Sequence, residues 1–198
     1  AAAANIRWTG GGQVRATISD ASSGNINYIG VNLSGSTLNL TSAGYRELRD
    51  IDGDGCAVNL SHAAAQMNAQ WCKSLGLLTV ASGFALVNGC DSLAPVTHTG
   101  GALVIDNANI GVDGAGVSVN SSAALSATTM LLLGPGINLL QLTGALGLIK
   151  KTGTCAYVMS PIVRNVAADV INGSAIGLAS ARDMPATYSA TNYAPPSA

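Results

Sequence analysis

Short apolar runs, broken every few residues by Gly, Ser or Asn, extend along the whole 198-residue chain and leave room for little except β-structure. Candidate strands are Gln13 to Ile18, Ile26 to Leu33, Thr37 to Leu40, Gly83 to Val87, Ala102 to Ile105, Gly116 to Asn120, Thr129 to Leu133, Ile137 to Leu142, Ala145 to Lys150, Ala156 to Met159 and Ala175 to Leu178. One stretch departs from that rhythm. Leu60, Ala64, Met67, Trp71 and Leu75 line one face of an amphipathic helix over 60–75. Asn59 or Ser61 would cap its start, Lys73 would sit in its last turn and Gly76 would close it. A weaker helical pattern covers Val163 to Val170.

The expected fold is therefore mainly β, a two-sheet sandwich or irregular β fold with one helix near 60–75. A β-solenoid is the alternative, because Ile26 to Leu40 and Ala102 to Asn120 resemble stacked rungs with small turn residues. No spacing is seen to recur three times, which favours the sandwich. Residues 1–182 are read as a single β-rich domain. Pro185, Pro195 and Pro196 make 183–198 an extended or disordered arm. The uncharged stretch from Gly114 to Ile149 raises the question of a membrane span. Gly134-Pro135-Gly136 interrupts it, and Asn138, Gln141 and Thr143 would need partners in lipid, so it reads as two buried strands.

Charge is scarce. Charged residues make up 10% of the chain, against about 25% in ordinary soluble domains, while 48% are apolar and the net charge is -1. The surface must then be built from Ser, Thr, Asn, Gly and Ala, which resists self-contact poorly. Copies of the chain are the expected partner, and Ala4 to Ile18 or Tyr188 to Pro196 would serve as arms that add a strand to a neighbour. Nucleic acid is excluded: the basic residues are spread from Arg7 to Arg182, and only Lys150 and Lys151 adjoin.

What charge there is gathers between Arg46 and Asp54, ending in Asp50-Ile51-Asp52-Gly53-Asp54-Gly55. Alternating carboxylates with glycines between them suit a hard cation. The segment resembles the calcium loops of EF-hand and dockerin modules. Asp50, Asp52 and Asp54 take the first, third and fifth positions, Gly55 the sharp turn, and the Cys56 carbonyl the seventh. The twelfth position is Ser61 where those families place a bidentate Glu, so another acid, with Glu47 nearest in sequence, would have to complete the shell. The resemblance implies a Ca²⁺ site at Asp50, Asp52, Asp54 and Cys56. The other reading is a pair of Asp-Gly turns facing water.

Cys56, Cys72, Cys90 and Cys155 are too far apart for a zinc ribbon, and His62 and His98 do not complete ligand spacing around them. Disulfides among the four, in any of three pairings, are expected, with buried thiols as the alternative. Together with the calcium loop they point to an oxidising compartment and a secreted, surface-exposed chain. Ala1 to Ala4 fits what remains after signal cleavage, and Asn32, Asn39, Asn59, Asn120 and Asn172 head glycosylation sequons.

Motifs for catalysis are missing: no Gly-x-Ser-x-Gly, no His-Glu-x-x-His and no phosphate-binding loop. His62 reads as a solvated residue, and His98 as a base only where a nucleophile approaches it from elsewhere in the fold. The expected function is a non-catalytic extracellular structural subunit that assembles with itself as a filament, sheath or virion-surface protein. A secreted adhesion or carbohydrate-binding module acting on glycans or a cell surface is the second reading. A polysaccharide-active β-solenoid enzyme, with Asp106 and Asp113 as paired carboxylates, is the third.

Overall fold

Steps of 20 residues govern the first coils of the computed structural model. Ile6 pairs with Ile26 and Ile26 with Arg46 on one sheet, while Thr17 pairs with Thr37 and Thr37 with Ala57 on another, all in parallel. A chain that returns in parallel, one coil later, to the strand it has just left is a β-solenoid. The structure describes residues 6–177 other than 11, 74, 93–94, 113–116, 142–146, 160–165 and 172–173.

In chain order the strands begin with β1 (Ile6–Thr9), β2 (Thr17–Asp20), β3 (Ile26–Ile29), β4 (Thr37–Leu40), β5 (Gly44–Arg49), β6 (Ala57–Leu60) and β7 (Ala65–Gln70). Next come β8 (Leu78–Val80), β9 (Phe84–Asn88), β10 (Asp91–Ser92), β11 (Val96–His98), β12 (Ala102–Asp106), β13 (Asn109–Val112) and β14 (Val117–Ser121). The last are β15 (Met130–Leu133), β16 (Asn138–Gln141), β17 (Gly147–Lys151), β18 (Ala156–Met159), β19 (Val166–Ile171) and β20 (Ser174–Gly177). The first sheet has the order β1-β3-β5-β7-β9-β12-β15-β18, and the second β2-β4-β6-β8-β11-β14-β17-β19-β20. A short third sheet, β10-β13-β16, forms where the later coils widen. Among the described strands only β20 runs antiparallel to its neighbour.

Alternate residues of each strand point into the coil and stack in columns. Leu38, Val58, Leu78, Val96, Val119 and Ile149 form one such column from the second sheet, and every one is buried. Tyr28, Leu48, Ala69, Val87, Ile105 and Leu133 form its counterpart from the first. Each fully buried Leu, Ile or Val contributes about 1.5–3 kcal/mol. A one-residue slip would turn the whole set outward, so the columns hold the register.

Three expectations are corrected. Parallel pairing one coil apart replaces the sandwich with the solenoid. The helix over 60–75 is instead the end of β6, a turn, all of β7 and the corner at Trp71 that leads to the Lys73 bridge, with residue 74 outside the described residues. Ala65, Met67 and Ala69 are buried in alternation with exposed or half-buried Gln66, Asn68 and Gln70. Leu60 and Leu75 are buried too, but in separate segments, while Ala64 and Trp71 face solvent, so the apparent helical face joined residues with different surroundings. The weaker helix over 163–170 gives way to β19, with 163–165 outside the described residues. Within the Ala4 to Ile18 segment, β1 and the start of β2 are paired with this chain's own β3 and β4. The arm 183–198 lies outside the described residues.

Candidate functional site

The segment from Arg46 to Asp54 does not act as one cluster. The pleat of β5 buries Arg46 and Leu48 and turns Glu47 and Arg49 outward, where Arg49 Nη1 lies 3.5 Å from Glu47 Oε1. Inside, Arg46 makes a bidentate pair with Asp20, Nε donating to Oδ2 at 2.6 Å and Nη2 to Oδ1 at 3.0 Å. Nη1 donates to the Gly24 carbonyl at 3.0 Å, and Nη2 also to the Ser22 carbonyl and the Ser42 hydroxyl. The Tyr28 hydroxyl donates to Asp20 Oδ2 at 3.2 Å, and burial, followed by the Asp20 charge, raises its pKa above the ordinary phenol range. Such a pair is tolerated in the core only because its hydrogen bonds are made; removal of one partner typically costs about 3–5 kcal/mol. Gly44 leaves the room for it: a Cβ there would lie 2.5 Å from the Gly24 carbonyl oxygen and 2.7 Å from Arg46 Nη1.

The three aspartates have three different places. Asp50 turns the corner after β5 with φ at 54°, the left-handed region that Asp enters more readily than most residues. Asp52 stands in a register row with Asn32 before it and Lys73 after it, so a cation of the chain itself is its neighbour one coil on. Asp54 and Gly55 occupy a turn closed by the Cys56 N–H on the Gly53 carbonyl at 2.6 Å, with Gly55 at φ 66°. The Cys56 carbonyl is packed against Gly76. Among the described residues, no three His, Cys, Asp or Glu side chains are grouped so as to hold a metal ion.

All four cysteines are buried free thiols, which replaces the expected disulfides. Burial lifts the Cys56 thiol to about 11. Cys72 and Cys90 occupy one column on successive coils, where the Cys72 N–H donates to Cys90 Sγ at 3.3 Å. Their mutual hydrogen bond keeps the Cys72 thiol protonated and lowers that of Cys90.

A nucleophile does approach His98. Its Nε2 lies 2.9 Å from the Gly101 carbonyl, which can only accept, so Nε2 carries the proton and Nδ1 accepts from the Ser121 hydroxyl at 2.9 Å. Ser121 Oγ in turn is 3.7 Å from Cys155 Sγ. His98, Ser121 and Cys155 are all fully buried, beside a Lys151 whose ammonium donates to the Gly153 carbonyl at 2.7 Å. The line of bonds braces the interior and is closed to substrate; burial lowers the His98 pKa. Asp106 ends β12 with Oδ1 enclosed near Gly134 and without a hydrogen-bond partner, and Asp113, its expected companion, lies outside the described residues. His62 is half-buried and accepts the Ala64 N–H on Nδ1 at 3.1 Å.

Two outer features stand apart from this structural chemistry. The first is the outer face of the first sheet. Its early coils present Tyr45, Glu47, Arg49, Gln66, Asn68 and Gln70, but β9, β12, β15 and β18 present the row Phe84, Ala102, Met130 and Ala156 beside the row Leu86, Val104, Leu132 and Val158. These eight are half-buried except Phe84, which is 39% exposed. The second is Trp71, 60% exposed, at the corner Asp50 occupies one coil earlier. Gly30, Asp50, Trp71, Gly89 and Asn107 hold this corner in successive coils, with φ of 62°, 54°, 55°, 64° and 45°. A Trp in that region costs on the order of 1–2 kcal/mol that glycine avoids. Its ring lies on Gly89, where a Cβ would come within 2.6 Å of Cε3.

No protein-family model matches the chain, and neither a curated protein nor a solved structure shows significant similarity to it. The fold and surface define a β-solenoid with a polar outer face over its first coils and an apolar one over its later coils. Neither outer feature emerges from motif reading. The apolar rows were visible only as strands rich in Leu, Val and Ile on both faces, the pattern of a parallel sheet covered on both sides.

Proposed function

We propose that the protein is a non-catalytic structural subunit, displayed outside the cell, that associates with copies of itself through the outer face of β9, β12, β15 and β18. The observation that carries this reading is the change along one sheet from alternating strands to strands apolar on both faces. Parallel sheets with such strands are covered on both faces. A second copy suits the face because the eight residues of these two rows carry no charge and the carboxylate next to them, Asp106 at the end of β12, has one oxygen enclosed, and flat sheets pack about 10 Å apart with their side chains interdigitated. Placement outside the cell rests on composition, the scarcity of charge and the sequons at Asn39 and Asn59, whose side chains lie on the outer face of the second sheet.

Size decides the strength. Four strands at about 4.8 Å spacing and two outward rows give a footprint of roughly 250 Å². That is well below the roughly 800 Å² per partner of a stable dimer, so the contact is reversible and grows in importance when many copies repeat it. Light scattering over a concentration series tests the reading. The wild-type chain is expected to move reversibly from monomer to larger species, and Leu86→Asp with Leu132→Asp to remain monomeric with an unchanged circular dichroism spectrum. A wild-type chain that stays monomeric at the highest concentration would overturn it.

A further inference from the structure

We infer that Trp71 is the platform of a binding site for a neutral polysaccharide, with one pyranose ring stacked on the indole. The first observation is the corner itself. Four coils place Gly, Asp, Gly and Asn at a left-handed position, and one places the largest side chain there, against the conformational preference of the backbone. The second is what the ring does: one face is seated on Gly89, which excludes any side chain beneath it, and the residue remains 60% exposed. A buried Trp would explain itself by packing, whereas this one leaves a flat apolar face to solvent, supported from below by backbone.

The surroundings select the ligand. On one side runs the outward row Arg49, Gln70 and Asn88, and on the other stand Asp52 beside Lys73 and Asp91 beside Asn109, whose Nδ2 donates to Asp91 Oδ1 at 2.7 Å. Planar amides and carboxylates on both flanks of an aromatic face match a sugar, whose ring C–H groups prefer the indole and whose hydroxyls both donate and accept. Asp50, Asp52 and Asp91, all exposed, outnumber Arg49 and Lys73 there, which disfavours phosphate or sulfate polymers. The described residues beside Trp71 in sequence and register, Gln70, Lys73, Asp50 and Asn88, are polar or charged, which disfavours an apolar protein partner. The site is open rather than pocketed, so it suits a long chain laid across the coils, and Trp71 itself lies at the corner beyond the edge of the outer face, where Asn88 follows Leu86 at the end of β9.

The test is affinity electrophoresis in gels cast with laminarin, xylan, mannan or dextran, with a heparin gel as the anionic arm, on the wild-type chain and on Trp71→Gly and Trp71→Tyr. The expected result is retardation by at least one neutral polysaccharide, weakened tenfold or more in Trp71→Gly and partly retained in Trp71→Tyr. The thermal midpoint of Trp71→Gly should be unchanged or higher, since glycine fits the corner. Absence of retardation in every neutral gel, equal retardation of Trp71→Gly, retardation by heparin alone, or a lower midpoint in Trp71→Gly would each overturn the inference. Leu86→Asp with Leu132→Asp should bind as the wild type does, so loss of self-association and loss of sugar binding are separable.

Discussion

Charged side chains make up only 10% of this chain, and the buried ones among the described residues have specific partners. Arg46, which in sequence belongs to the acidic segment, belongs in space to Asp20 on the preceding coils. That relation was illegible because it depends on coil length, and a run of charges says nothing about which members the pleat turns inward. His98 has the clearest consequence in solution. Unfolded, it titrates near 6.5, and folded it is held lower by burial. Below pH 6.5 the unfolded chain therefore takes up a proton that the folded chain refuses, so stability is full above that value and falls as pH drops through it. Thermal midpoints between roughly pH 5 and 8 should decline on the acid side, and His98→Gln should flatten the decline. An identical acid slope in the variant would remove His98 from the explanation.

At the scale of the strand, alternation was the reliable signal and helical spacing the misleading one. Ala65, Met67 and Ala69 carry a period of two that competes with the steps from Leu60 to Leu75, and short side chains such as Ala weaken its contrast. The 20-residue repeat was also present, since Leu38, Val58 and Leu78 lie at equal intervals, as do Leu40, Leu60 and Val80. Interchange of Leu with Val and the unequal later coils, of 18, 18, 28 and 26 residues, concealed it. Strand stacking also selects one cysteine pair. Cys72 and Cys90 are neighbours across adjacent coils, whereas Cys56 and Cys155 lie in other columns. Exposure to oxidised glutathione during refolding should join Cys72 to Cys90 by exchange, the two thiols giving up two protons and two electrons and the glutathione disulfide being reduced to two thiols. Closure across 18 residues is worth about 3 kcal/mol, seen as a higher thermal midpoint. Peptide mapping without reductant should find that bridge and leave Cys56 and Cys155 alkylatable; a bridge that includes either would contradict the stacking.

For the molecule as a whole, stability is distributed from coil to coil rather than concentrated in one core. Each coil contacts chiefly its two neighbours, as in other solenoids, so a whole coil is a removable unit. Deletion of residues 59–78 would join Val58 to Thr79 and preserve every column, because Val58 pairs with Leu78. That variant should keep a β-type circular dichroism spectrum and melt cooperatively at a lower temperature. Deletion of 59–68 alone should abolish the cooperative melt, because it sends inward residues out. Equal behaviour of the two deletions would argue against coil-wise stability.

The reversal of β20 against β19 gives this stack a direction. In the second sheet the parallel series that starts at β2 closes on β20, whose backbone runs the other way, while the described strands of the first sheet end on parallel β18. The two ends are therefore not interchangeable templates, and a copy docking head to tail would have to match unlike surfaces. Lateral association escapes that asymmetry, because identical faces related by a twofold axis need neither end.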